Sequence, residues 1–328
     1  RRLDLHFHSS VHLLISVLGI VLNVFVLMVF CLHKKACTTP EIYLSNMAAA
    51  DLVLVSFLPF WANYISNYYN WIFGEVMCKI AKMIIIMNSF CSIYFLVLVS
   101  IDRYLALVHP LSFKRIRTPF FAKLGCLLVW ILGFSFGVPT FIFRKVVKNY
   151  DKNICTTVNL SYTTVFTSQS LNLAFGFIVP VSIIVFCTVK IIKILRSRPM
   201  EGVNAKKTEQ KATTLVLAVL LAFLICWVPY HLLGISVLLP ITECSTRKVF
   251  YICGQIFSYL AYFNSVLNPI LYIIVGKNFR KKVQELFRQW KNKRFLIVSK
   301  TSTSKTLSGN RNSADSTNRT ENVSSIEL

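Results

Sequence analysis

The sequence predicts an all-α membrane protein, a seven-transmembrane helix bundle with an amphipathic cytoplasmic helix after the seventh span. Three observations predict this fold. First, 55% of the 328 residues are hydrophobic, and the mean hydropathy of +0.59 is far above that of an ordinary soluble domain. Second, seven apolar runs are each roughly 20 residues long or longer, the length that a helix needs to cross a bilayer. Third, basic residues collect in alternate loops between these runs.

The seven apolar runs are predicted to be helices, because only a helix satisfies its own backbone hydrogen bonds in hydrocarbon. The third and fifth runs exceed the bilayer thickness, so we expect them to tilt or to project into the cytoplasm. Residues 1–10 are interpreted as an extracellular N-terminal remnant, since no signal peptide is visible before the first span. In order, the predicted spans cover residues 11–32, 42–65, 76–107, 120–143, 165–194, 215–239 and 249–275.

The distribution of positive charge predicts the orientation of the chain. Loops 33–41, 108–119 and 195–214 lie on the same side of the membrane as the C-terminal tail, and all are rich in lysine and arginine. The positive-inside rule makes this side cytoplasmic and places the N-terminus outside, as in a multi-pass plasma-membrane protein. The net charge of +23 follows from this bias and from the tail. We therefore expect membrane lipids, and no nucleic acid, as the partner of these charges.

The predicted outer side is also basic and holds few acids. One interpretation is that these charges serve only solubility and topology. The other is that they attract a ligand with a carboxylate or a phosphate. The sequence leaves both open for the outer basic residues, which are Lys79, Lys82, Arg144, Lys145, Lys148, Lys152, Arg247 and Lys248.

After the seventh span the composition changes twice. Residues 276–290 carry apolar side chains at helical spacing opposite lysines and arginines, a pattern typical of a helix on a membrane surface. Residues 291–328 are rich in serine and threonine and are predicted to be a disordered cytoplasmic tail. Phosphorylation of these hydroxyls would add dense negative charge. A merely soluble tail is the other interpretation.

The ten cysteines do not form a dense disulfide framework. Most lie in or beside spans and are interpreted as reduced packing residues. On the outer, oxidising side, Cys78 and Cys155 form the natural pair, which ties the third helix to the second outer loop. Cys244 is then left for a partner in an N-terminal segment. The sequon at Asn159 predicts glycosylation in the same outer loop.

A set of polar residues lies well inside the predicted spans. Asp51 has apolar neighbours on both sides, so its carboxylate needs partners that face the bundle interior. A carboxylate among hydroxyls and amides suits a small hard cation such as sodium. The alternative is a hydrogen-bonded knot that holds the helices together. Apart from this ion no cofactor is expected, and its predicted ligands are Asp51, Asn88, Ser92, Asn264, Ser265 and Asn268.

Short motifs in the spans resemble those of a known family. With the seven spans, they resemble a rhodopsin-like (class A) G-protein-coupled receptor over nearly the whole chain. The motifs are Gly19 with Asn23, Ala48-Ala49-Ala50-Asp51, Cys78, Asp102-Arg103-Tyr104, Trp130, Pro180, Cys226-Trp227-Val228-Pro229 and Asn268-Pro269-Ile270-Leu271-Tyr272.

Longer segments are similar to the peptide-binding branch of that family, and within it to the kinin receptors, closer to the type-2 form. These segments are EIYLSNMAAADLVLVSFLPFWANYISNYYNWIFGEVMC, LVSIDRYLALV, KTEQKATTLVLAVLLAFLICWVPY and IIVGKNFRKK. The resemblance implies a cell-surface receptor that binds an extracellular peptide and activates heterotrimeric G proteins, of the Gq type with calcium release. It also implies that arrestin and receptor kinases bind the tail. The alternative is a class A receptor for an anionic lipid or nucleotide.

The resemblance also implies an activation switch at the cytoplasmic side. At rest Arg103 would pair with Asp102 and with Glu209 at the base of the sixth span. Activation would release Arg103 toward the G protein. The remaining residues of the implied switch are Tyr104, Phe223, Trp227, Pro229, Asn268, Pro269 and Tyr272.

A ligand pocket is implied between the outer helix ends. Arg144 matches a basic position of the kinin receptors and is expected to meet the carboxylate of the ligand. Two positions depart from the pattern, since Val237 stands where the type-2 form has an acid and Ile86 where the type-1 form has a lysine. The implied pocket residues are Trp61, Tyr64, Lys82, Arg144, Tyr230, His231, Gln255, Tyr259 and Tyr262.

Other membrane-protein functions are less consistent with the sequence. An enzyme is not expected, because the chain holds neither an H-E-x-x-H nor a C-x-x-C motif. A transporter would show internal repeats, and we find none. A channel would show a periodic polar lining, which is also missing.

Overall fold

The computed structural model describes the backbone of residues 2–109, 113, 117–158, 161–197, 203–236 and 244–291. Among these residues, seven helical segments are long and apolar enough to cross a membrane, which confirms the predicted bundle. The elements are α1 (Arg2–Leu32), α2 (Thr39–Ser66), α3 (Gly74–Val108), α4 (Pro119–Phe143), β1 (Arg144–Asn149), β2 (Lys152–Thr157), α5 (Tyr162–Leu173), α6 (Val179–Ser197), α7 (Val203–Ser236), α8 (Cys244–Val275) and α9 (277–291).

The first helix begins earlier than the first predicted span. α1 starts at Arg2, and its apolar segment runs over Leu5–Leu32. The sequence predicted the first span to begin at residue 11, with residues 1–10 as an extracellular N-terminal remnant. In the structure two residues of this segment, Leu5 and Ser9, are buried. The extra turns of α1 therefore belong to the bundle.

The fifth span consists of α5, a π-helical turn and α6. The π-turn covers Ala174–Ile178, and the Val179 amide closes it by donating to the carbonyl oxygen of Ala174. Pro180 follows directly and has no amide hydrogen to donate, so a regular helical ladder is already interrupted at this point. In α5, which precedes the π-turn along the chain, no residue is buried.

The third helix lies at the centre of the bundle. Buried residues follow α3 from Cys78 to Asp102. Close approach of α4 depends on glycine, because a Cβ atom added at Gly133 would lie 2.8 Å from the Cys91 sulfur and one at Gly137 would lie 2.6 Å from Met83 Cγ. Small residues at helix contacts are the usual way for membrane helices to pack.

A β-hairpin covers one end of the bundle, which we call the hairpin end. β1 and β2 pair in antiparallel register from Arg144 with Thr157 to Asn149 with Lys152. The predicted disulfide joins Cys78 of α3 to Cys155 of β2. The hairpin also contacts the α2–α3 loop, since the Trp71 amide donates to the Asn153 carbonyl oxygen at 2.7 Å.

The opposite end of the bundle carries Asp102 and Arg103, and we call it the arginine end. Residues 1–280 form one compact unit, and residues 281–328 form another. In the first unit, Phe279 at the start of α9 is buried and packs edge-on against Phe30, with ring centroids 5.5 Å apart. In the second unit the helix continues to residue 291, and Phe287 and Trp290 are exposed. A helix after the seventh span is thereby confirmed.

Candidate functional site

The polar residues of the spans meet around Asp51 in the middle of the bundle. Asp51 is fully buried. Its Oδ1 accepts hydrogen bonds from Asn88 Nδ2 at 2.9 Å, Ser92 Oγ at 3.2 Å and Ser265 Oγ at 2.9 Å. Its Oδ2 accepts one from Asn268 Nδ2 at 2.8 Å. The carboxylate therefore links α2, α3 and α8, and four donors compensate its burial.

Amide oxygens beside this cluster have no hydrogen-bond partner among the described residues. They belong to Asn88, Asn264 and Asn268, all of which are buried. Asn264 does not bond Asp51 in the structure, unlike the other predicted ligands. A carboxylate and several amide oxygens are ligands that a hard cation prefers. These oxygen ligands thus fit a sodium ion. The four hydrogen bonds equally fit a polar knot that holds the helices together.

Aromatic side chains of α7 pack against one another inside the bundle. Phe223 and Trp227 are both buried and stack with ring centroids 5.9 Å apart. Trp227 also contacts Tyr230 at 5.6 Å, and Pro229 lies within the same helix. On α8, where Pro269 lies within the helix, Tyr272 is buried.

At the arginine end, Asp102 lies between two arginines. The Asp102 side chain is only 3% exposed. Its Oδ1 lies 3.2 Å from Arg117 Nε, whereas its Oδ2 lies 3.9 Å from Arg103 Nε. Arg117 is therefore the nearer partner, and sequence reasoning missed it. A basic residue in a loop has no periodicity that would single it out.

Arg103 lines a small cavity of about 90 Å³ at this end. Leu96 and Val99 of α3, Val219 of α7 and Tyr272 of α8 line the same cavity. The Tyr272 hydroxyl donates to Met47 Sδ at 3.1 Å. The neighbouring Tyr104 hydroxyl lies 3.3 Å from His109 Nε2. The two ends of the predicted switch, Arg103 and Tyr272, thus share one space.

A larger cavity of about 340 Å³ lies beneath the β-hairpin. Four of the predicted pocket residues line it, namely Lys82, Arg144, Tyr230 and His231, and Trp227 forms part of its wall. No aspartate or glutamate lines this cavity within the described part of the chain. Its only lining charges there are the two cations.

Comparison with known proteins identifies the family of this seven-span chain. A family model described as "7 transmembrane receptor (rhodopsin family)" matches residues 22–272. The chain belongs to this rhodopsin family of receptors. It is a G-protein-coupled receptor in a membrane, and not an enzyme.

Curated relatives of this receptor carry the name bradykinin receptor. The human B2 bradykinin receptor is 45% identical over 287 residues, which are 83% of this chain and 72% of the relative. The rat B2 bradykinin receptor is 47% identical over 278 residues, 81% of this chain and 69% of the relative. The human B1 bradykinin receptor is 36% identical over 292 residues, 86% of this chain and 82% of the relative.

Within the receptor, Arg144 contacts protein groups at the edge of the cavity. Its Nη2 donates to the Cys155 carbonyl oxygen at 3.0 Å, and its Nε lies 3.4 Å from the Cys155 sulfur. The guanidinium lies 5.8 Å from the Trp61 ring centroid. Burial lowers the pKa of Arg144, with nearby tyrosines acting in the opposite direction. Arginine nevertheless keeps its charge at neutral pH. Its Nε and Nη2 groups therefore already contact Cys155 of the hairpin.

Lys82 differs from Arg144 in this respect. It lines the cavity from α3 and has no hydrogen-bond or ion-pair partner among the described residues. Its ammonium group is therefore the cation that a ligand would find available. The sequence placed both residues in the pocket but favoured Arg144 as the anchor.

The other predicted pocket residues do not line the cavity. Trp61 and Tyr64 pack edge-on to each other, with centroids 5.9 Å apart, in the aromatic cluster next to the disulfide. Tyr259 of α8 contacts His8 and His12 of α1 instead. The implied pocket included neither histidine, although His12 lies within the predicted first span. The last two predicted residues lie on α8, where Tyr262 is buried near His12 and Gln255 is half-buried.

Several parts of the sequence predictions fall outside what the structure describes. They are Asn159, Val237, residues 292–328 and the side chains of Glu209, Cys244, Arg247 and Lys248.

Proposed function

We propose that this receptor binds an extracellular, kinin-like peptide at its hairpin end and activates heterotrimeric G proteins at its arginine end. In this proposal the hairpin end faces outside the plasma membrane, and coupling is of the Gq type with calcium release. The observation that carries it is the identity of 45% to the human B2 bradykinin receptor over 83% of the chain. Gq coupling is carried over from the implied family.

The cavity supports a ligand with a terminal carboxylate. Lys82 would receive that carboxylate, since it has no protein partner and no acid lines the cavity within the described residues. Tyr230 and His231 on the facing helix supply aromatic surface for the adjoining side chains. Arg144 would act mainly by holding the hairpin over the cavity through Cys155.

Contacts between packed residues connect the cavity to the arginine end. A ligand that touches Tyr230 or His231 acts directly on Trp227, because the three rings contact one another. Trp227 stacks on Phe223 deeper in α7. Movement of α7 would change the cavity that Arg103 shares with Val219 of the same helix. A ligand that prefers one of two such arrangements shifts the equilibrium between them.

The cluster around Asp51 is proposed to hold a sodium ion in the resting receptor. The supporting observation is the set of unpartnered amide oxygens beside the carboxylate. A cation there would offset the cost of a buried charge. It would also bind only while the helices that carry Asp51, Asn88 and Ser265 keep this spacing. Sodium would thus favour the resting arrangement.

The predicted tail functions remain part of the proposal. Arrestin and receptor kinases would act on residues 291–328, which are rich in serine and threonine. Asn159 would carry a glycan on the outer side. Both follow from sequence.

The experiment is a calcium assay in cells that express the receptor from its complete gene. Bradykinin, des-Arg bradykinin, anionic lipids and nucleotides are applied in parallel. We expect a response to a kinin, which the variant Lys82→Gln weakens and the control Lys79→Gln does not, because Lys79 pairs with Glu75 at 2.7 Å outside the cavity. A response to a nucleotide or lipid but to no kinin would refute the proposal.

A further inference from the structure

The cavity at the hairpin end adjoins a second space between the fourth and fifth spans. This groove of about 540 Å³ lies between α4 and α5. Four residues line both the groove and the cavity, namely Pro139, Thr164, Ser168 and Asn172. Because these walls are shared, a molecule in the groove lies directly beside the contents of the cavity.

The groove opens on the face of the bundle that meets the membrane. Large apolar side chains flank it on both helices, with Phe134 52%, Phe166 49% and Leu171 46% exposed. Both helices belong to segments that are apolar enough to span a bilayer. No residue of α5 is buried, so this helix does not close the gap toward α4. In a bilayer, the groove therefore faces lipid chains.

The lining of the two spaces selects an amphiphile with an anionic head. The groove combines the apolar Phe136 and Leu171 with the hydroxyls of Thr163 and Thr167. The cavity behind it contains the cation Lys82, which has no hydrogen-bond or ion-pair partner among the described residues. Neither space is lined by an acid within the described residues. The positive charge of Lys82 therefore favours an anionic head, and the apolar residues of the groove favour a hydrocarbon chain.

We propose that a single-chain lipid with a carboxylate or phosphate head enters the receptor from the bilayer between the fourth and fifth spans. Its acyl chain lies in the groove, and its head reaches Lys82. Each space is of the size of ordinary ligand pockets, roughly 300–1,000 Å³. The lipid competes with the carboxylate of an extracellular ligand for Lys82, so it acts as a negative modulator. This site does not depend on that ligand being a kinin.

The test is equilibrium binding of tritiated oleate and tritiated oleoyl lysophosphatidate to the purified receptor in phosphatidylcholine nanodiscs. We expect saturable binding of one molecule per receptor, and the tighter probe identifies the head group. Lys82→Gln should weaken binding about tenfold, the effect of losing one charge-assisted hydrogen bond. The control Lys79→Gln should leave it unchanged.

A second pair of variants tests the lateral route. Ser135 lines the groove but not the cavity, and its hydroxyl donates to the Ile131 carbonyl oxygen at 2.8 Å. Ser182 is also exposed and makes the same contact with Ile178 at 2.8 Å, away from the groove. Ser135→Phe should abolish binding of the lipid and spare binding of labelled bradykinin, while Ser182→Phe should change neither.

Three results would overturn the proposal. One is the absence of saturable binding of either lipid to the wild-type receptor. Another is that both Lys82→Gln and Ser135→Phe bind the lipids with the same affinity as the wild type. The third is weaker binding by Lys82→Gln with normal binding by Ser135→Phe, which would mean that the anion enters from water. Because bradykinin binding is measured on the same samples, failure of the lipid site and failure of the kinin proposal are distinguishable.

Discussion

Replacement of Asp51 by asparagine tests the proposed sodium site. The variant keeps the shape of the side chain but removes its charge and one acceptor oxygen. In the structure Oδ1 accepts three hydrogen bonds and Oδ2 accepts one from Asn268. An amide nitrogen at the Oδ2 position would face the Asn268 Nδ2 donor and lose that bond. The other three donors keep their acceptor.

The magnitude follows from two opposing effects. A lost hydrogen bond to a charged group costs about 1.5–3 kcal/mol. Removing the buried charge returns a similar amount, because the four hydrogen bonds to the carboxylate stand in for a counter-ion only in part, and a buried ion without a counter-ion is destabilising. Without sodium, the stability of Asp51→Asn should therefore be close to that of the wild type. With sodium at ten times its dissociation constant, the wild type alone should gain about 1.4 kcal/mol.

The assay is thermal unfolding of the purified receptor in sodium or potassium chloride at equal ionic strength. For a chain of 328 residues, a gain of this size corresponds to a rise in Tm of about 2 °C. Asn46→Ala serves as control, since it removes the bond between Asn46 and Trp130, which lies apart from Asp51. It should lower the Tm but keep the sodium effect. A sodium-dependent rise in Asp51→Asn, or none in the wild type, would refute the reasoning.

Three further predictions concern packing and charge. Arg117→Gln should lower ligand-independent signalling about twofold to fivefold in an accumulation assay for inositol phosphates. The reason is that the Asp102 carboxylate then pairs with Arg103 without a competitor, and an ion pair whose arginine is partly exposed contributes ~0.5–1 kcal/mol. Higher signalling would show that the loop contact itself restrains the receptor. Replacement of the bridged Cys155 by serine should cost about 2–5 kcal/mol of unfolding free energy and reduce surface expression, whereas full expression would contradict a stabilising role. Gly133→Val should destabilise by about 1–3 kcal/mol in thermal unfolding, because its Cβ would lie 3.1 Å from the Met87 carbonyl oxygen; unchanged stability would show that α4 can shift.

The helices and the polar cluster were predictable because each leaves a mark in the local sequence. Apolar length fixes a span, and a carboxylate in an apolar run must find polar partners. Asp51, Asn88, Ser92, Ser265 and Asn268 were therefore expected together, and the structure brings them together. The disulfide followed from the side of the membrane on which its cysteines lie.

Other features depend on distances that no local pattern encodes. The pairing of Arg117 with Asp102 requires the loop after α3 to fold back on the helix. The hydrogen bond from Arg144 to the Cys155 carbonyl oxygen depends on the register of the hairpin. The role of His12 was missed because its burial depends on contacts with Tyr259 and Tyr262 of α8, which are distant in sequence. In each case tertiary contacts decided what the residue does.

The central claim is that a peptide bound at the hairpin end acts on Arg103 at the other end. The most direct test is nucleotide exchange on purified Gq by the receptor in lipid vesicles, measured with and without bradykinin. The account predicts that bradykinin accelerates exchange by the wild type, and that Arg103→Ala binds labelled bradykinin with unchanged affinity but does not accelerate exchange. Normal exchange by Arg103→Ala, or equal loss of peptide binding and exchange, would contradict the claim.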